Sequence, residues 1–85
     1  MDEAALRAVA NPRRREMLRL VWDRELSSGE IASHFDISGP AVSQHLKVLR
    51  DAGLVVERRD GTRHLFSANR HEAAGSNPRP TLKGV

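Results

Sequence analysis

The apolar residues of this chain are spaced for a series of short helices followed by two strands. Between residues 38 and 52, Val42, Leu46 and Leu49 fall within about 60° of one another at ~100° per residue, so they define one buried helix face. The stretches DEAALRAVA and RRREMLRLVWDR precede it with apolar residues at helical spacing. After it, LVVERR and TRHLFSA flank an Asp-Gly dipeptide, which is typical of a β-hairpin with a type I′ turn. The pattern predicts a mainly α-helical domain with a small β-hairpin.

Polar residues at the ends of these segments indicate where the helices begin and end. Asn-Pro at 11–12 suits a cap and a first helical position. Ser27 and Glu30 have the spacing of a capping box, which begins a helix of about two turns. Ser38 caps the next helix and Gly53 ends it. Two such helices joined by a turn of three or four residues form a helix-turn-helix unit.

Composition excludes several classes of function. The 85 residues suit one small domain, and the absence of cysteine excludes disulfides, thiolate metal sites and cysteine nucleophiles. The four histidines lie on separate predicted elements, and no nucleophile, base and orienting group can be assembled. We therefore predict no metal site, no cofactor and no enzymatic activity. Trp22 and Phe35 are expected in the core, and Arg14 is expected to pack within the protein.

The charge and hydropathy of the chain bear on its location and partners. Fourteen Lys and Arg against eleven Asp and Glu give a net charge of +3, so the placement of the charges matters more than their total. No apolar run approaches the ~18 residues of a membrane span, and the N-terminus has an acidic start unlike that of a signal peptide. These features predict a cytoplasmic protein without membrane contact.

The polar face of helix 38–52 is suited to the major groove of DNA. A groove about 12 Å wide admits one helix, which must present short donors and acceptors to the base edges. Gln44 can pair with adenine, Ser43 can reach a base or a phosphate, and Lys47 can reach a guanine edge or the backbone. The alternative is an ordinary solvated face. The predicted contacts on this face are Pro40, Ser43, Gln44 and Lys47, with Arg50 at its margin.

Three further sets of residues are predicted to contact the DNA backbone. Ser38 and Gly39 expose N–H groups at a helix start, which favours a phosphate oxygen, although simple capping is the alternative. His45 lies about 60° from the apolar stripe, so a half-buried histidine and a phosphate contact are equally compatible with its position. The hairpin is basic, and its arginines either contact DNA or form a solvated strand edge: Arg58, Arg59 and Arg63.

Three stretches resemble the ArsR family of bacterial transcriptional repressors. ANPRRREMLRLV is similar to the family's opening helix, LSSGEIASHFDISGPAVSQHLKVLRDAGLV to its helix-turn-helix, and RRDGTRHLFSA to its hairpin. The resemblance covers about residues 5–68. It departs at Ser27 and Gly29, where metal-sensing members often carry cysteines, and in a Gly- and Pro-containing tail where the family has a long helix.

The resemblance implies a winged helix-turn-helix domain over 1–68, and the Gly and Pro residues of 69–85 predict a flexible tail. The resemblance also implies a repressor that binds double-stranded DNA. We expect a homodimer on an inverted-repeat operator, since two half-sites give specificity that one small helix cannot, and a small-molecule effector of unknown identity is left open. Winged helices also serve as protein-docking modules. A protein–protein interaction module without DNA specificity is therefore the alternative function.

Overall fold

The structure, a computed structural model, describes residues 2–70. This part of the chain forms four helices and three short strands. In chain order the elements are α1 Glu3–Val9, α2 Pro12–Leu20, β1 Leu26–Ser27, α3 Ser28–Ala32, α4 Gly39–Asp51, β2 Val55–Asp60 and β3 Arg63–Ala68. The predicted flexible tail falls almost wholly outside the described residues. Within those residues, no helix has the length and apolar character needed to cross a membrane.

The predicted helix starts are confirmed, because each capping side chain accepts a hydrogen bond from the first turn. Asn11 Oδ1 accepts from the backbone N–H of Arg13 at 2.8 Å. Ser27 Oγ accepts from the N–H of Glu30 at 3.1 Å, and Glu30 Oε1 accepts from the N–H of Ser27 at 2.7 Å, which completes the capping box. Ser38 Oγ accepts from the N–H of the third helical residue of α4 at 3.2 Å. Each bond satisfies a donor that would otherwise have no partner within the helix.

The connection between α3 and α4 is longer than the sequence predicts. After Ala32 the backbone tightens, since the N–H of His34 donates to Ile31 O at 3.0 Å and that of Phe35 donates to Ala32 O at 3.1 Å. These bonds span three residues instead of four, so the α-helix ends early. Six residues, 33–38, separate the helices, and the expected turn of three or four residues is wrong. Ile37 in this connection packs against the core.

The hairpin forms as predicted, but its turn is displaced by one residue. Strands β2 and β3 are antiparallel, and their last pair is Asp60 with Arg63, so the loop consists of Gly61 and Thr62. The prediction centred the turn on the Asp-Gly dipeptide. Gly61 has φ of +65°, a conformation that glycine adopts without steric cost.

A third strand, β1, was not predicted. It pairs antiparallel with β3, placing Leu26 opposite Phe66 and Ser27 opposite Leu65, and the sheet order is β1-β3-β2. Two residues cannot show the period-2 alternation by which a strand is recognised in sequence. Hereafter the hairpin of residues 54–68 is called the wing, and α4 the recognition helix.

One core joins all four helices to the sheet. The apolar stripe of the recognition helix is buried as predicted, with Val42 and Leu46 at 1% exposure and Leu49 at 0%. The remaining buried apolar residues are Ala5, Ala8, Met17, Leu18, Val21, Ile31, Leu54, Val55, Leu65 and Phe66. The expectation for Trp22 was wrong: it is 38% exposed, because α2 ends at Leu20 and Val21 occupies the core position. Phe35 is half-buried against the core.

The end of the wing is tied back to the helices. The N–H of Ala68 donates to Val21 O at 2.9 Å, and the N–H of Asn69 donates to Leu54 O at 2.8 Å. The side chain of Asn69 also donates to Gly53 O at 3.0 Å. Gly53 ends the recognition helix and has φ of +79°. The wing is therefore fixed at its base against α2 and α4.

Candidate nucleic-acid interface

The recognition helix presents the predicted polar residues to solvent. Its stripe of buried residues faces the core, and Pro40, Ser43, Gln44 and Lys47 lie exposed on the other side. Neither Ser43 nor Gln44 makes a side-chain hydrogen bond to any residue between 2 and 70. No Asp or Glu lies between Gly39 and Arg50. Ser43 and Gln44 therefore offer unengaged donors and acceptors, and the first acidic residue of the helix is Asp51 at its C-terminal end.

The two cations near the end of the recognition helix are held by carboxylates. Lys47 Nζ lies 2.9 Å from Asp51 Oδ2, and the hydrogen bond from Lys47 lowers the pKa of Asp51. Arg50 Nη1 donates to Glu57 Oε1 at 2.7 Å. Glu57, on β2, was not among the predicted site residues. Hydrogen bonds from His64 and then from Arg50 lower its pKa, so it is ionised at neutral pH.

His45 lies toward the inside of the domain. It is half-buried, and its Nδ1 lies 3.4 Å from Arg14 Nη1. Burial lowers the pKa of His45, and the nearby charges of Arg14 and Arg13 lower it further, which favours the neutral ring. Arg14 also donates from Nε to Ala8 O at 2.7 Å, as expected for an arginine that packs within the protein. Of the two alternatives for His45, the structure supports the half-buried histidine.

The register of the wing divides its arginines between two faces. Successive side chains of a strand point to opposite faces, and Arg59 pairs with His64 while Arg58 pairs with Leu65. Arg59 therefore shares a face with Glu57 and His64, the face toward the recognition helix. Arg58 and Arg63 lie on the other face.

Both arginines of that other face have carboxylate partners. Arg58 donates from Nε and Nη2 to the two oxygens of Glu25, at 2.9 and 2.7 Å. Arg63 Nη2 lies 3.5 Å from Oε1 of Glu30, the carboxylate of the capping box. Arg59, by contrast, is exposed and has no ion-pair partner among residues 2–70. It is the predicted wing cation best placed to meet a phosphate.

The start of the recognition helix is open to solvent. Ser38 and Gly39 are both exposed, and a Cβ added to Gly39 would meet no atom within 4 Å. Ser38 Oγ is engaged as the helix cap, so its predicted phosphate contact would be made by backbone N–H groups. At a helix N-terminus these groups point outward with a partial positive charge.

A cleft separates the recognition helix from the wing. It has a volume of about 330 Å³, and its lining residues come from α3, α4 and both strands of the wing: Ser28, Ser43, Lys47, Arg50, Glu57, His64 and Phe66. Predicted DNA-contacting residues thus line the same concave surface as Glu57. Within residues 2–70, no group of three or more His, Asp or Glu side chains could hold a metal ion.

A helix-turn-helix with an exposed polar recognition helix and a basic two-stranded wing defines the winged helix-turn-helix class of transcriptional regulators. The chain belongs to the arsR family of bacterial regulatory proteins, since residues 11–56 match the sequence model of that family. This family consists of regulators and not of enzymes.

Named relatives and a solved structure agree with this assignment. The chain is 36% identical over 63 residues to the transcriptional repressor SdpR of Bacillus subtilis, covering 74% of this chain and 70% of that protein. It is 47% identical over 55 residues to the transcriptional activator HlyU of Vibrio cholerae, covering 65% of this chain and 51% of that protein. A crystal structure of a possible transcriptional regulator for arsenical resistance superposes with a TM-score of 0.81 at 35% identity, covering 88% of this chain and 78% of that one. The chain thus spans about half to 70% of the length of these curated relatives.

Proposed function

We propose that this protein is a sequence-specific repressor that binds duplex DNA with its recognition helix in the major groove. The observation that carries the proposal is the exposed face of α4, which has no acidic residue before Asp51 and on which Ser43 and Gln44 have no partner within residues 2–70. A side chain that is already exposed and unengaged can pair with a base edge without breaking a bond inside the protein. Gln44 would pair with adenine, and Ser43 and Lys47 would contact neighbouring bases or phosphates.

The backbone contacts would flank the recognition helix. The N–H groups at Ser38 and Gly39 would meet a phosphate on one side, and Arg59 would meet one on the side of the wing. Arg58 and Arg63 would contribute less than the sequence suggests, because Glu25 and Glu30 already neutralise them. For the same reason Arg50 would act only after release from Glu57.

We further propose that the protein acts in the cytoplasm as a homodimer on an inverted repeat. One recognition helix reads only a few base pairs, so two half-sites supply specificity that one small domain lacks. Leu6, 56% exposed on α1, supplies apolar surface outside the proposed DNA interface on which a second copy could pack. The named relatives include a repressor and an activator. Repression would follow where the operator overlaps the promoter.

Selection of bound duplexes from a random library at about 150 mM salt tests this function. An enriched inverted repeat with half-sites about 10 bp apart would support both the recognition helix and the dimer. A single enriched half-site would support the recognition helix and contradict the dimer. A Ser43→Ala/Gln44→Ala variant is the matched control and should enrich nothing comparable. If the unmodified protein enriches no sequence, the proposal is wrong and a protein-docking module becomes the better interpretation.

A further inference from the structure

The cleft between the recognition helix and the wing contains a carboxylate that a DNA-binding surface would not be expected to keep. Glu57 Oε1 accepts from Arg50 Nη1 at 2.7 Å, and Oε2 contacts Nδ1 of His64. Its side chain is only 20% exposed, whereas those of Arg50 and His64 are each 42% exposed. One acidic group from β2 thus holds a cation of α4 and an imidazole of β3.

The carboxylate of Glu57 lies among the basic residues that would attract a phosphate. It shares the inner face of the wing with Arg59, and it lines the cleft together with Ser43 and Lys47 of the recognition helix. A second carboxylate, that of Asp51, holds Lys47 at 2.9 Å and lies 3.5 Å from Arg50. Both basic residues near the end of the recognition helix therefore have an acidic partner.

An internal partner of this kind affects the two modes of DNA binding unequally. Binding without sequence preference depends on the number of phosphates that Lys and Arg neutralise, whereas discrimination depends on contacts with base edges. A phosphate that approached Arg50 would have to displace a charge-assisted hydrogen bond. Gln44, which would contact the bases, has no such bond to break among residues 2–70. A carboxylate at position 57 consequently weakens binding without sequence preference and leaves the contacts with base edges unchanged.

We propose that Glu57 is a specificity-determining residue that lowers sequence-independent DNA binding by keeping Arg50 and His64 engaged within the cleft. The inference rests on the proposed DNA-binding function and adds to it a residue that opposes sequence-independent binding. Glu57 would act through Arg50 and His64 and would not itself contact DNA.

Salt titrations of Glu57→Gln test the proposal. The uncharged side chain keeps the size of glutamate and can still accept one hydrogen bond, but it removes one negative charge from the cleft and leaves Arg50 without its carboxylate partner at 2.7 Å. On a duplex without the selected site, binding should tighten about threefold to tenfold near 0.1 M salt, and the plot of log K against log salt should steepen by about one unit. On the selected duplex the gain should be smaller, so that the ratio of specific to non-specific affinity falls.

Two variants control for net charge and for the fold. Glu16→Gln makes the same change in net charge and breaks the 2.9 Å ion pair of Glu16 with Arg19, on the exposed side of α2 away from the cleft. It should match the unmodified protein. Glu57→Asp keeps the charge and should retain most of the original selectivity. Thermal melting shows whether each variant is folded.

Five results separate the outcomes. A steeper slope in Glu57→Gln alone supports the proposal. Equal slopes in Glu57→Gln and Glu16→Gln would overturn it, as would a parallel loss of binding on both duplexes, which indicates that Glu57 only positions the wing. An equal gain in Glu57→Asp would show that charge is not the cause and would overturn it as well. If the unmodified protein selects no sequence, the proposed function fails first, and that result is recognisable without any variant.

Discussion

Replacing Gln44 by alanine isolates the contribution of one base contact, because the side chain bonds to no other residue between 2 and 70. Gln44 is exposed and makes no side-chain hydrogen bond within the described residues, so its removal should leave the free energy of unfolding nearly unchanged. A bidentate pair with adenine contributes about 1–3 kcal/mol of discrimination, which corresponds to about a 5-fold to 150-fold change in affinity. Alanine also favours the helix, so no helical propensity is lost.

The assay is equilibrium binding to the selected duplex and to every single base-pair variant of it, at one salt concentration. The unmodified protein should discriminate strongly at one base pair per half-site that Gln44→Ala no longer distinguishes. Discrimination at the other positions should persist. An equal loss of affinity on all the duplexes would refute the assignment of Gln44 as a base-reading residue and would indicate a backbone contact instead.

Four other substitutions test separate parts of the structure. Arg59→Ala should weaken binding about equally on all duplexes and reduce the salt slope by about one unit, whereas Arg58→Ala should change the slope less because Glu25 holds that side chain; equal changes would contradict the division of the wing into two faces. Leu49→Ala, at a site with 0% exposure, should lower the free energy of unfolding by about 2–5 kcal/mol in urea titrations, and a loss below about 1 kcal/mol would contradict its place in the core. Because the pKa of His45 is lowered in the fold from its ordinary 6.5, the unfolded chain takes up the proton first, and stability should fall as the pH drops below about 6.5. His45→Gln should show a smaller decrease over that range, and an unchanged profile would exclude His45 as its cause.

The sequence predicted those parts of the fold whose signals are local. The recognition helix combines a capping serine, an apolar residue on each turn and a terminal glycine within sixteen residues, and all three features agree. The hairpin is equally local, although its turn lies one residue beyond the expected centre. Strand β1 escaped prediction because it exists only through pairing with β3, about forty residues later in the chain.

The candidate site was predicted less completely, for a related reason. Periodicity places Arg50 on the polar side of the helix, but it does not say that Glu57 of β2 meets it there. The hydrogen bond from Arg50 to Glu57 joins α4 to β2, and that from Arg58 to Glu25 joins residues 33 positions apart. A count of basic residues therefore overstates the charge available to DNA, since the acids that neutralise Arg50 and Arg58 lie on other elements.

The capping box has a consequence for how mutations would be interpreted. Glu30 closes the start of α3 through its bond to the N–H of Ser27, and the same oxygen lies 3.5 Å from Arg63 on the wing. A neutral residue at this position would loosen a helix of the DNA-binding unit and the wing together. An alanine scan scored only by operator occupancy would then assign Glu30 to the interface, although a carboxylate there has no reason to approach phosphate. Residues that never touch DNA can thus matter for binding, and Glu30 is an acidic residue of this kind.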